Sequence, residues 1–417
     1  MPNRQLSRGL VCLLAVTCAV TAANLYYAQP LLHAIAASFG TGQADTGLIV
    51  TVAQLGYAAG LVLVLPVGDI VRRRPLLSAM LGIDAVALAA SALAPDLRVL
   101  GALALLVGVS SVVVQMIVAY AATLAGDDER GQVIGAMLSG LLLGILLSRT
   151  FAAAVAAATS WRVVYAIAAG IMVAMAAILY RSLPRSPRDL RIGYGAQLRG
   201  VLDAALRMPA LRWRSVIGGC SFAAFSCFWT TVTFLLTGPS YHFSQLEIGL
   251  FALVGAAGAA TAAFGGRLLD ANRHLRWLIT GIELAALTAS FGLIGLGGHG
   301  LGWLIGGVLV MDACAQAVNL TNQSVIYELL PEARSRLTTV YMTTFFVGGA
   351  LGSALGSQAY REWGWAGASA TAAAFCVAGL LAWLAARRGE RAAVATAPGR
   401  QGAPRGLTVV EPNLPPA

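Results

Sequence analysis

Asp312, Gln316, Asn319 and Gln323 stand at i, i+4, i+7 and i+11 within one long apolar run, so a helix would align all four along one stripe. Four polar side chains do not face lipid together, because each would cost free energy without a partner or water. Asp312 lies about eleven residues into the run, near the middle of a bilayer crossing, where an acid that meets a wet cavity can exchange a proton. The chemistry expected is proton coupling at Asp312, with Gln316, Asn319 and Gln323 in a substrate cavity. The other use of such a stripe is a hydrogen-bonded seam between helices.

Arg149 is the one Arg placed within an apolar run. Its guanidinium keeps its proton, so it needs an acid, a carbonyl dipole or an anionic group of a substrate; a purely structural pair or a snorkelling side chain would serve it equally. Asn24 and Tyr27, at i and i+3, share a helix face, and Gln29-Pro30 is expected to end or kink that helix. Gln115 is a lone amide in its run, and Phe222, Phe225 and Trp229 fall at helical spacing beside Thr230 and Thr233. Asn24, Tyr27, Gln115, Arg149 and Trp229 complete the expected cavity set. No metal or cofactor is expected, because the four His lie at span ends or in loops and the six Cys sit singly in apolar runs. All 28 basic residues are Arg, which excludes a P-loop lysine and a Schiff base.

The elements that must hold these residues are membrane helices. Hydrophobic residues make up 58% of the 417 and charged ones only 11%, with a mean hydropathy of +0.76, far from a soluble domain. The formal charge of +10 sits in turns rather than on one basic face, which argues against a nucleic-acid partner. Apolar runs at 10–32, 46–67, 76–94, 98–121, 133–157, 162–181, 214–237, 247–268, 277–297, 301–325, 337–358 and 366–386 predict twelve spans. Arg4 and Arg8 ahead of Leu10–Ala23 imitate a secretory leader, but that stretch is needed as the first span. Residues 1–182 are expected to form one six-helix bundle and 213–386 a second. Between them, 183–212 reads as an Arg-rich linker with a short surface helix over Gln197–Arg207, and 387–417 as a disordered tail. Of the 28 Arg, 24 fall on the side of the termini and linker, so both termini are expected to be cytoplasmic.

The two halves repeat. Gly68-Asp69-Ile70-Val71-Arg72-Arg73-Arg74 and Gly266-Arg267-Leu268-Leu269-Asp270-Ala271-Asn272-Arg273 each follow an apolar run, and Asp69 and Asp270 are 201 residues apart. Glu129-Arg130, Met137 and Trp161 have counterparts in Glu332 with Arg334, Met342 and Trp365 at nearly the same offset. The fold class expected is all-α, with two parallel six-helix repeats around a central site. Asp69, Arg72, Arg73, Asp270 and Arg273 are expected to form charge-assisted contacts that close a cytoplasmic gate.

On these residues the chain resembles the major facilitator superfamily over about residues 8–386. The Asp69 turn looks like the family signature between helices two and three, with Asp270 its echo. Asn24-Leu25-Tyr26-Tyr27-Ala28-Gln29-Pro30-Leu31-Leu32 is similar to the first-helix motif of a bacterial efflux branch related to arabinose-efflux and drug:proton antiporters. Met137 through Thr150, and Asn322-Gln323 through Tyr341-Met342, resemble the same branch. The resemblance implies that the seventh and tenth helices line the cavity and that helices three and nine are peripheral. Asp84 and Glu283 are then supports between helices. Three positions depart from the pattern: Leu65 and Arg72 replace glycines of the turn, and Gly144 is followed by Ile145 instead of Pro.

The expected protein is a monomeric secondary carrier of the bacterial inner membrane, exporting a small organic molecule in exchange for protons. A sugar or metabolite uptake symporter of the same fold is the alternative, because direction follows gradients rather than one motif. A nontransporting receptor would call for a soluble sensing domain. An enzyme would call for clustered His or paired acids, which this chain scatters.

Overall fold

The computed structural model describes residues 7–126, 129–184, 193–271, 276–330 and 334–396, with backbone alone at 69, 259–271 and 388–396. Its elements are helical: α1 (Arg8–Asn24), α2 (Ala28–Phe39), α3 (Gln43–Leu63), α4 (Arg73–Ala92), α5 (Leu97–Ser111), α6 (Val113–Leu124), α7 (Arg130–Ala158), α8 (Trp161–Ser182), α9 (Tyr194–Arg207), α10 (Pro209–Thr237), α11 (Gln245–Ala271), α12 (Arg276–Gly295), α13 (Leu301–Leu329) and α14 (Arg334–Thr396). Ten runs among the described residues are long and apolar enough to cross a membrane. Their outward faces carry large exposed side chains such as Leu63, Val86, Leu143 and Leu381, which suits a hydrocarbon solvent.

Local chemistry sets several of the helix ends. Ser7 caps α1 by accepting from the Leu10 N–H, and Asp96 caps α5 by accepting from the Val99 N–H. Ser244 and Glu247 form a reciprocal capping box at the start of α11. Pro209 occupies the first turn of α10, where its missing N–H is not needed.

Three features depart from the sequence expectation. The first span breaks at Leu25–Tyr27, ahead of Gln29-Pro30, and Pro30 then sits within the first turn of α2, where proline is tolerated. The fourth run is divided at Val112 into α5 and α6. The last two expected spans are one helical run, α14, broken at Gly364 with φ 61° and ψ −151°, a conformation open to glycine because it lacks Cβ. That run continues through the first ten residues of the expected disordered tail, 387–396, while 397–417 lie outside the described residues.

Small residues bring the helices together. A Cβ on Gly140 or Gly144 of α7 would collide with the Ala15 or Ala19 carbonyl of α1. Gly348 and Gly352 of α14 meet the Gly219 and Ala223 carbonyls of α10 in the same way. Among the described residues α10 is the most enclosed of the long apolar helices, and it packs on α14, α13, α2 and α3. Helix α9 lies against the starts of α10 and α14, with Val201, Ala204 and Ala205 packed toward Leu211, Leu337 and Tyr341. This marks one end of the molecule, called the linker end below.

Candidate functional site

A cavity of about 770 Å³, including its mouth, lies between the helices before α9 and those after it. Its walls are largely aromatic. Phe222 stacks on Phe345 at 4.0 Å between ring centroids, and Tyr57 lies 4.1 Å from Phe346. Tyr26, Phe225 and Met342 continue the apolar surface, and Gln115, Gln316, Asn319 and Ser221 supply its polar atoms. No lining residue carries a charge.

Away from the linker end the two helix groups are stitched together. The Thr233 hydroxyl donates to the Gln29 carbonyl (3.0 Å), and Gln245 Nε2 donates to the Pro30 carbonyl (2.7 Å). Thr150 donates to the Gly249 carbonyl (2.8 Å), and Ser353 donates to the Gly47 carbonyl (3.2 Å). Arg361 meets Asp45 at 2.8 Å on the surface. Deeper, Gln54 Nε2 donates to the Ser226 hydroxyl at 2.9 Å.

Between this belt and the cavity sits a layer of charge. Arg149 of α7 donates from Nε to Gln29 Oε1 (2.7 Å), and its guanidinium lies over the rings of Trp229 (4.2 Å), Tyr26 (5.3 Å) and Phe225 (5.7 Å). Trp229 of α10 directs its indole N–H at Asp312 Oδ1 of α13, 3.4 Å away. Among the described residues, Arg149 Nη2 and Asp312 Oδ2 have no hydrogen-bond partner. The two charges act on each other through space without a direct ion pair. A buried charge left without full compensation is costly.

Two further buried carboxyls join helices. Asp84 of α4 accepts from Asn24 Nδ2 of α1 and from the Ser110 hydroxyl of α5, both at 2.7 Å. Glu283 of α12 accepts from the Thr321 hydroxyl of α13 (3.1 Å). Nearby, Arg214 of α10 donates to Thr280 and to Asn322. Both acids occupy positions between helices.

The structure sorts the expected cavity residues. Gln115, Gln316 and Asn319 line the cavity, and Gln115 also donates to the Tyr57 hydroxyl at 3.3 Å. Asn24 does not, because its amide is turned to Asp84. Tyr27 does not either: the break at Leu25–Tyr27 rotates Tyr26 into the wall and sends Tyr27 against Phe151. Gln323 is held away by a ladder in which its Nε2 and the Tyr341 hydroxyl both donate to Asn319 Oδ1, while the Tyr327 hydroxyl donates to Gln323 Oε1. Arg149, Trp229 and Asp312 do not line the cavity; Arg149 lies behind two rings of its wall, Tyr26 and Phe225, and Asp312 behind Trp229. Arg149 and Trp229 line instead a smaller cavity with Gln29 and Thr233.

Of the expected gate, the side chains of Asp69 and Asp270 and all of Arg273 lie outside the described residues. Arg72 precedes α4 as its cap residue, and Arg73 places its guanidinium 5.4 Å from the Tyr120 ring centroid. Sequence reasoning missed Tyr26, Tyr57, Phe345 and Phe346 in the wall and Gln29 at the Arg149 layer. The adjacent aromatic pairs Tyr26-Tyr27 and Phe345-Phe346 were the available signal, since one member of such a pair in a buried helix must point inward.

The sequence matches the model of the Major Facilitator Superfamily over residues 14–318. It is 40% identical to the putative transporter YgaY of Escherichia coli strain K12 over 384 residues, covering 92% of this chain and 96% of that one. With the probable transporter SCO4007 of Streptomyces coelicolor it shares 33% over 380 residues, 91% of this chain and 87% of the other. A crystal structure of a bacterial homolog of the human lysosomal transporter Spinster, inward-facing and occupied, superposes with a TM-score of 0.72 at 14% identity, over 91% of this chain and 96% of that one. The apolar helices, the central cavity between two helix groups and these matches agree: the chain is a membrane transporter and not an enzyme, and it belongs to the Major Facilitator Superfamily.

Proposed function

We propose that this protein is a proton-coupled secondary carrier that exports a small organic molecule across the bacterial inner membrane by alternating access. The observation carrying the reading is Asp312, buried between the two helix groups with one carboxylate oxygen unpartnered and Arg149 facing it from the other group. A proton arriving at Asp312 removes the charge that balances Arg149, and its departure restores that charge. This alternation gives two states of different interface energy, which coupling requires.

In this reading the chain crosses the membrane twelve times, with α1–α2 and α5–α6 each forming one broken crossing, α14 forming two about Gly364, and α11 completing the set. The two six-helix groups are the parallel repeats, the Arg-rich linker and both termini are cytoplasmic, and the working unit is a monomer. The stitched end is then the outer gate in its closed state, with the cavity on the cytoplasmic side of it. Asp69, Arg72, Arg73, Asp270 and Arg273 form the inner gate of the opposite state. Asp69→Asn is expected to lower transport while leaving membrane insertion intact, and a full transport rate in that variant would remove the gate role.

The test of coupling is transport into proteoliposomes under an imposed pH gradient. Asp312→Asn, which fixes the neutral state, should abolish accumulation driven by that gradient and retain downhill exchange. A substrate gradient still built by Asp312→Asn would place the proton site elsewhere, with Asp84 and Glu283 next in line.

A further inference from the structure

The chemistry of the cavity wall narrows the substrate. The stacked rings of Phe222 and Phe345 form a flat apolar surface, and the tilted pair of Tyr57 and Phe346 continues the aromatic wall, the geometry that receives a planar ring system. Gln115, Gln316, Asn319 and Ser221 are too few to replace the hydration shell of a sugar, although they suffice to orient a molecule with one polar edge.

Charge decides the rest. A wall of rings can favour a cation, but here the guanidinium of Arg149 already lies over two of the lining rings, Tyr26 and Phe225. Asp312 is the acid that faces Arg149, so the layer behind the rings is neutral when Asp312 is ionised and positive when it is protonated. The other nearby acid, Asp84, is engaged by Asn24 and Ser110. The Arg149–Asp312 layer therefore offers a cation no net negative charge in either state. Behind Tyr26 and Phe225, by contrast, stands a guanidinium that is 3% exposed and holds one nitrogen, Nη2, without a partner among the described residues. A buried donor of that kind gains a charge-assisted hydrogen bond from a carboxylate.

We infer that the cavity takes a flat aromatic weak acid, its rings between the aromatic walls and its carboxylate directed past Tyr26 and Phe225 to Arg149. The inference rests on the carrier reading above and names the substrate class of that same site. Arg149 is the residue that recognises the acid group, and the stacked phenylalanines recognise the ring.

Three ligands of one shape separate the outcomes: 2-naphthoate, 2-naphthamide and 2-naphthylmethylammonium, titrated calorimetrically into the full-length protein in lipid nanodiscs. The acid should bind at least about tenfold tighter than the amide, the factor expected of one hydrogen bond to a charged group, and the ammonium should bind most weakly. In Arg149→Gln the preference for acid over amide should fall to about twofold or less, with Arg149→Lys intermediate because an ammonium lacks the planar fork. The wild-type series decides the matter alone where Arg149→Gln does not fold. Equal or tighter binding of the amide or the ammonium, absence of binding by all three, or an acid preference that survives in folded Arg149→Gln would overturn the assignment. The carrier reading fails in a different way: naphthoate would bind with its Arg149-dependent preference, yet labelled naphthoate would not move across proteoliposomes under a pH gradient.

Discussion

The guanidinium of Arg149 lies 4.2 Å from the indole ring of Trp229, and that same indole donates its N–H to Asp312. Trp229 thus contacts both members of a charge pair that belong to opposite helix groups and do not touch. One side chain supplies a π face to the cation and a hydrogen bond to the acid.

Trp229→Phe keeps an aromatic face for Arg149 and removes the N–H. Initial rates of proton-driven transport should fall about tenfold, the scale of a lost hydrogen bond to a charged group. Trp229→Ala removes both contacts and should fall further. Equal rates for wild type and Trp229→Phe would leave Trp229 a packing residue only.

Asp84→Asn separates support from chemistry. Asn24 and Ser110 both donate to the Asp84 carboxylate, and an amide offers one acceptor where two are used. The cost expected is about 1–3 kcal/mol of stability, read as a lower melting temperature of the purified protein. Transport per folded molecule should persist. An unchanged melting temperature together with lost proton-driven accumulation would make Asp84 a working acid instead.

Gly47→Val tests the belt. A Cβ at Gly47 would lie 2.9 Å from Ser357 Cβ and 3.4 Å from Thr230 Cγ2, so valine holds α3 away from α14 and α10. Transport should fall by about tenfold or more. Labelling of Ser353→Cys by an impermeant maleimide, added from the periplasmic side, should rise when Gly47→Val is introduced. Full transport with unchanged labelling would show that this close approach is dispensable.

Helical spacing placed Asp312, Gln316, Asn319 and Gln323 on one stripe, yet the folded protein uses the stripe in three ways. Its middle faces the cavity, Asp312 meets Trp229, and Gln323 joins the Tyr327–Asn319 ladder. Spacing fixes which side chains share a face, whereas the tilt of one helix against its neighbours fixes which part of that face meets open space. The same limit explains Tyr27. Gln29-Pro30 announced a break, but the chain turns at Leu25–Tyr27, ahead of a proline tolerated in the first turn of α2, and that shift exchanged Tyr26 for Tyr27 in the wall. Gly140 and Gly144 form a small-xxx-small pair in an apolar run, a pattern whose use needs only a neighbouring backbone. The aromatic wall was not legible, since a ring at helical spacing looks alike whether it packs or lines a cavity.

The break at Leu25–Tyr27 divides the first crossing into two rods with different attachments. The lower rod, α1, packs on α5, α6, α7 and α8 of its own group, whereas the upper rod, α2, also touches α10 and α11. The carbonyls of Gln29 and Pro30 on α2 are tied to Thr233 and Gln245 of the opposite group, and the Gln29 side chain holds Arg149. Separation of the groups at that end must either snap those two ties or swing α2 as a lever on the hinge beneath it. Gln29 carries one of those ties on its carbonyl and Arg149 on its amide, so a swing of α2 would carry off the hydrogen-bond partner of the buried guanidinium.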